Sequence, residues 1–327
     1  MNTLVYGAGP IGRWLALRLQ RAGQDVTLLA RNETFDLLDK NGIEIVDGLT
    51  GEKHVEKVKL IRHLEETDRF ELAIVATNKS GRLAVCPTLA QNKHLKHILF
   101  LGNDVSGFER YSRYLPAEKL LLGFPGAGGG WVGDDLVFMD REKPTGPNGE
   151  IFLGEFDGPN RDRTSNIKKL FEAANIKVNL ERDMDGWLKY HFAFIAPTAG
   201  VVFQKAGDLE AVANDSRAIH QYCSACREAG DVLEALGYRK RQPPIFNLYY
   251  WLPQWLEAKV FARFFGSKSA AVRLGLHAKV VGPELLEMAA EFDSLRDGVN
   301  IDTPKFDELL SYVPRRDAAG VREETTT

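Results

Sequence analysis

The stretch Thr3-Leu4-Val5-Tyr6-Gly7-Ala8-Gly9-Pro10-Ile11-Gly12 decides the fold. A short apolar run enters a G-x-G-x-x-G turn, and Ile11, Leu15, Leu19 and Ala22 then recur at helical spacing before a second apolar run, Val26–Ala30. Strand, glycine turn, amphipathic helix and strand in that order make the βαβ unit that binds dinucleotides. Gly7 serves the tight turn, Gly9 lets the backbone approach a pyrophosphate, and Gly12 lets the helix pack closely on the strand. The helix that starts at Pro10 and Ile11 turns its free N–H groups and partial positive charge toward the phosphates. Gly7, Gly9, Pro10, Ile11 and Gly12 are therefore the candidate cofactor loop.

Working outward, Leu72–Ala76 and Ile98–Leu101 are further buried-strand candidates, Gly42–Leu60 reads as a hairpin excursion, and Gly123–Gly130 reads as a loop by composition, as does the Pro144–Gly149 stretch. Arg163–Ala174 reads as a helix and Ile176–Leu180 as the last strand. After Asp183 helical patterns take over: Gly186–Ala196, Leu209–Leu236, Phe246–Phe265, Ser269–Val280 and Glu284–Arg296. The expected fold is α/β, an N-terminal Rossmann-type doubly wound sheet followed by an all-helical C-terminal domain. The expected units are a dinucleotide-binding domain over 1–183, a helical substrate and dimerisation domain over 184–314, and a disordered tail over 315–327.

The 327 residues fit roughly two domains. A net charge of −3 argues against nucleic-acid binding, and no run approaches the ~18 apolar residues of a membrane span. Three cysteines form no disulfide framework, and the N-terminus lacks the pattern of a signal peptide, so a cytoplasmic location is expected. His220, Cys223 and Cys226 share a helix face, but four zinc ligands are not in view and no metal is expected.

The second strand ends in Leu29-Ala30-Arg31-Asn32, where a carboxylate would bind the ribose hydroxyls of NAD. Arg31 suits the 2′-phosphate of NADP instead, so NADP is the expected cofactor; a solvated surface arginine is the plain alternative.

Four pieces together resemble the ketopantoate reductase (2-dehydropantoate 2-reductase) family: Gly7–Gly12 with Arg31; Val75-Ala76-Thr77-Asn78-Lys79; Leu101-Gly102-Asn103-Asp104-Val105-Ser106-Gly107; and Gly186-Trp187-Leu188-Lys189. The late Asp302-Thr303-Pro304 agrees with them in order and spacing. The resemblance implies a cleft between the two domains, NADPH reducing the 2-keto group of a small branched acid, and a homodimer through the helical domain. It implies Lys189 as the catalytic general acid, Asn103 touching substrate or cofactor, and Thr77, Asn78 and Lys79 beside the cofactor. A lysine is chemically apt, because hydride addition to a carbonyl leaves negative charge on oxygen.

The substrate end departs from the family. Its asparagines four and eight residues after the lysine are Ala193 and Pro197 here, and its glutamate corresponds by spacing to Glu284, in Gly282-Pro283-Glu284-Leu285. Glu284 is the candidate partner of the substrate hydroxyl, or else merely an acid in the first turn of a helix. The aromatic stretch Phe246–Phe265 reads as helical-domain core, or as the lining of a larger apolar pocket or a dimer face. Two alternatives stay open: an NADP-dependent imine reductase or alcohol dehydrogenase on a bulkier, less polar substrate, and a catalytically silent NADPH-binding regulator.

Overall fold

The computed structural model describes all residues except 49, 108, 128, 139–148, 157, 239–243, 268–269, 271–283 and 315–327. The expected helix 269–280, Pro144, Pro283 and the expected tail thus lie largely or wholly outside the described residues.

The glycine turn does what its spacing requires. Strand β1 (Thr3–Tyr6) is fully buried, helix α1 (Pro10–Arg21) follows it, and β2 (Val26–Leu29) pairs parallel to β1. Helix α2 (Asn32–Asn41) follows β2. The excursion makes β3 (Ile43–Asp47) and β4 (Lys53–Glu56), an antiparallel hairpin, and then β5 (Lys59–Ile61), which joins the edge of the main sheet. The main sheet continues through β6 (Leu72–Val75), β7 (His97–Leu101), β8 (Leu120–Pro125), β11 (Glu150–Glu155) and β12 (Lys177–Leu180). Its order is β12-β11-β8-β7-β6-β1-β2-β5, parallel except for the β11–β8 pair. The chain reverses its winding between β1 and β6, and ligands of such sheets bind outside the strand ends at that point.

Gly123–Gly130 is not simply a loop. Its first residues belong to β8, and its last begin β9 (Gly129–Val132), which forms a second, four-stranded sheet with β10 (Asp135–Phe138), β3 and β4. Backbone pairing to neighbouring strands outweighs the turn bias of the glycines.

Helices between the strands include α3 (Lys79–Ala84), α4 (Cys86–Gln91), α5 (Glu109–Ser112) and α6 (Asp162–Ala173). Asp183 then caps α7 (Met184–Gln204) by accepting from Gly186 N at 2.8 Å. This helix runs on through Pro197, beyond the expected end at Ala196. The expected helix Leu209–Leu236 is two, α8 (Leu209–Ala213) and α9 (Ser216–Ala235), because the Asp215 carboxylate caps the backbone N–H groups of Arg217 and Ala218. The expected helix Phe246–Phe265 is likewise divided, into α10 (Leu248–Trp251) and α11 (Gln254–Phe265), at Pro253. Residues 284–296 form α12, and α13 is Pro304–Leu310.

Phe246, Tyr249, Phe261 and Phe265 pack in the helical core with Cys223 and Cys226, while Trp251 and Trp255 face solvent. Val105, from the turn after β7, enters that same core, and Trp187 of α7 packs on the sheet against Phe152 and Phe124, at ring-centroid distances of 4.3 and 5.3 Å. The two halves interlock at the ends of β7 and β8. Among the described residues no helix is long and apolar enough to cross a membrane, and no group of His, Cys, Asp and Glu could hold a metal ion.

Candidate active site

A cleft of about 1110 Å³ opens at the C-terminal ends of β1, β2, β6, β7 and β8. Gly7, Gly9, Pro10, Ile11, Arg31, Thr77, Asn78, Asn103 and Glu284 all line it. The glycines divide the work as their spacing demands. Gly7 has φ +115°, and a Cβ there would press on Ala76 O at 2.8 Å; a Cβ on Gly12 would overlap the Gly7 carbonyl. A Cβ on Gly9 would meet nothing within 4 Å, so its bare face is open space. That is the surface a diphosphate needs at the start of a helix.

Arg31 sits at the β2 end with its guanidinium on the Tyr6 hydroxyl, 2.6 Å away. Asn78 caps α3 by accepting from Gly81 N at 2.8 Å, so its side chain shapes the loop as well as lining the cleft.

At the far end stand Asn103, Arg82 and Glu284. Arg82 is 2% exposed and donates to the Leu101 carbonyl at 3.0 Å and the Asn103 carbonyl at 2.5 Å. Its guanidinium occupies the space a Cβ would need on Gly102, whose φ of +141° also favours glycine. Glu284, at the start of α12, faces Arg82 at 3.8 Å. Burial raises its carboxyl above the ordinary value, with Arg82 and Lys79 pulling the other way. The side-chain oxygen of Asn103 is buried and has no hydrogen-bond partner among the described residues.

Three expected residues stand apart from the cleft lining: Gly12, packed against the Gly7 carbonyl, and the two lysines Lys79 and Lys189. Lys79 is 2% exposed and lies in an ionic cluster, 2.5 Å from Glu291 of α12 and 3.5 Å from Asp104. Arg110 completes it, 2.5 Å from Asp104 and 3.4 Å from Glu291. This cluster joins the sheet to α12 and so sets where Glu284 stands. Lys189 pairs with Asp185, one helical turn earlier, at 2.5 Å, and its Nζ lies 5.0 Å from the centre of the Tyr238 ring. The Tyr238 hydroxyl donates to the other oxygen of Asp185 at 3.0 Å. Ala193 and Pro197 are both buried in the helix packing.

Sequence reasoning missed Arg13, Arg82, Phe124 and Trp131, which also line the cleft. Arg13 directly follows Gly12, a position that could have been read; Arg82 and Trp131 reach the cleft only through the placement of α3 and the second sheet.

The match to a family model now has its geometry. Residues 3–158 match the ketopantoate reductase PanE/ApbA model. That match covers just under half of the chain, whose N-terminal part is similar to this family. It is 26% identical over 219 residues to the uncharacterized oxidoreductase YkpB of Bacillus subtilis, covering 63% of this chain and 66% of that one. It is also 26% identical over 158 residues to a 2-dehydropantoate 2-reductase of Listeria innocua, covering 48% and 52%. The aligned stretches thus span somewhat less than two thirds and about half of these relatives' lengths. Among solved structures it resembles D-mandelate dehydrogenase with NADH and anilino(oxo)acetate, with a TM-score of 0.75, 13% identity and 96% and 97% of the two chains covered. At that identity the likeness is one of fold.

Proposed function

We propose that this protein is an NADPH-dependent reductase of a 2-oxo acid. One observation carries the reading: Gly9 with its bare face, Asn103 with its unpartnered buried oxygen and Glu284 from the helical half all line a single cleft at the winding reversal of the sheet. The glycine cradle fits a dinucleotide, since Gly7 and Gly12 are tightly enclosed while the face of Gly9 is free. The likeness in fold to D-mandelate dehydrogenase solved with NADH supports a pyridine dinucleotide, and Arg31 at the β2 end supports the phosphorylated form.

When bound, the cofactor supplies a hydride to the substrate carbonyl carbon. Asn103 orients the reacting groups through its amide, and Arg82 holds the Asn103 backbone from behind. Lys189 is the general acid in this proposal. Asp185 holds its amino group by an ion pair, and opening the Lys189–Asp185 pair toward the cleft delivers the proton to the carbonyl oxygen. Glu284 accepts from a substrate hydroxyl.

A less polar substrate than ketopantoate is favoured by one further observation. The positions of the family's substrate asparagines, Ala193 and Pro197, are packing residues here, so no polar groups remain there to select hydroxyls. The test follows NADPH oxidation with ketopantoate and with a series of bulkier, apolar 2-oxo acids. Turnover that Lys189→Met abolishes, with NADPH affinity retained, supports the reading. Unchanged turnover in that variant removes Lys189 as the acid. NADPH binding with no turnover on any 2-oxo acid would favour imine or alcohol chemistry, or a silent binder. The homodimer is part of this proposal, and light scattering in solution tests it.

A further inference from the structure

Arg13 is 8% exposed and stands in the first turn of α1, just after Gly12. Its Nε donates to the Ala8 carbonyl at 2.8 Å, and no carboxylate pairs with it among the described residues. The three cations buried more deeply, each 2% exposed, are treated differently: Lys79 faces Asp104 and Glu291, Arg82 faces Glu284, and Lys189 faces Asp185. The first turn of α1 carries no acid either. What Arg13 has instead is the Trp131 ring, its guanidinium carbon 4.9 Å from the centroid. Arg13 and Trp131 both line the cleft beside the open face of Gly9.

A buried cation without a counter-ion is costly, and burial lowers the pKa of Arg13 accordingly. A ring face compensates part of that cost. The rest is recovered when an anion arrives at the same place. The helix N-terminus and the uncovered glycine backbone attract an anion to that place too.

We infer that Arg13, screened by Trp131, is a diphosphate-binding cation of this site, separate from Arg31 and specific for the bridge between the two nucleotide halves. The inference rests on the dinucleotide reading above and deepens it. Arg31 stands at the β2 end and discriminates NADPH from NADH. Arg13 stands on the glycine loop and serves any ligand with a diphosphate. Trp131, from the second sheet, covers the guanidinium and keeps water from the charge pair once it has formed.

The test is calorimetric titration of wild type, Arg13→Gln and Arg13→Lys with NADPH, NADH and ADP-ribose, alongside thermal unfolding of the ligand-free proteins. Arg13→Gln should weaken all three ligands by a similar factor, roughly 10- to 100-fold for one lost charge-assisted contact. Its ligand-free melting temperature should hold or rise, because an unpaired buried charge has gone; a merely structural arginine would lower it. Arg13→Lys keeps the charge and should bind within a few-fold of wild type. Equal binding by Arg13→Gln and wild type would overturn the inference, and so would a loss confined to NADPH, which would move Arg13 to the 2′-phosphate. A large fall in melting temperature for both variants would also overturn it, making Arg13 structural. Failure of wild type to bind any of the three ligands is a separate result: it would remove the dinucleotide reading itself and this inference with it.

Discussion

Replacing Gly12 and Gly9 separately by alanine should pull apart packing and ligand binding within one six-residue motif. A Cβ on Gly12 would overlap the Gly7 carbonyl oxygen and lie 3.0 Å from the Gly7 carbonyl carbon. Both are backbone atoms of a turn that cannot rotate out of the way. Restoring ordinary contact requires α1 to retreat from the loop by roughly 1–1.5 Å, since non-bonded carbons sit near 3.5–4 Å. Alanine returns up to about 1 kcal/mol of helix propensity over glycine. Overpacking costs about 1–3 kcal/mol, and backbone on backbone belongs at or above the upper end. Gly12→Ala should therefore be destabilised by about 2 kcal/mol or more. Gly9 is the reverse case. Its φ of −73° suits any residue and its Cβ would meet nothing within 4 Å, so Gly9→Ala should lose no more than a helix cap's preference, under about 1 kcal/mol. The methyl would nevertheless stand where the diphosphate must approach. Chemical denaturation without ligand and NADPH titration of both variants are the assays. Gly12→Ala should fall in both; Gly9→Ala should fall in NADPH affinity alone. Wild-type affinity in Gly9→Ala, or undiminished stability in Gly12→Ala, would refute the reasoning.

Three more outcomes follow from the site. Arg31→Ala should weaken NADPH by roughly 10- to 100-fold while leaving NADH nearly unchanged; equal losses would deny it the 2′-phosphate. Asp104 is fully enclosed by Lys79, Arg110 and the Tyr111 hydroxyl, so Asp104→Asn leaves those cations undercompensated and should cost about 3–5 kcal/mol in urea unfolding; a change under about 1 kcal/mol would mean the cluster does not hold the halves together. Burial raises the Glu284 carboxyl above 4.5, so the native state keeps a proton that the unfolded chain has lost. Stability therefore declines as pH rises from the ordinary carboxylate value through the raised one. Glu284→Gln should remove that decline, raising the melting temperature at pH 7 but not at pH 4; a lower melting temperature at pH 7 would show that the Arg82 contact outweighs burial.

The βαβ opening, the parallel sheet and the change to helices after Asp183 were legible in the residues alone. Those rest on local periods and on a glycine spacing whose steric reasons are local to one turn: Gly12 against Gly7, and Gly9 against nothing. The sequence also singled out Arg31, Asn103 and Glu284, which line one cleft. Where it failed, a non-local contact or a local stop decided. Strand pairing drew Gly123, Phe124 and Pro125 into β8, and Asp215 and Pro253 divided helices whose apolar period runs on unbroken. Lys79 carries the same side chain whether it touches a ligand or an acid; only the approach of Glu291, 212 residues away, makes it a tie between the halves. Arg13 likewise reads as one more helical arginine until the fold buries it, with no carboxylate beside it among the described residues, and sets Trp131 over it. Charge is written in the sequence, but the partner that gives a buried charge its meaning is assigned by tertiary structure.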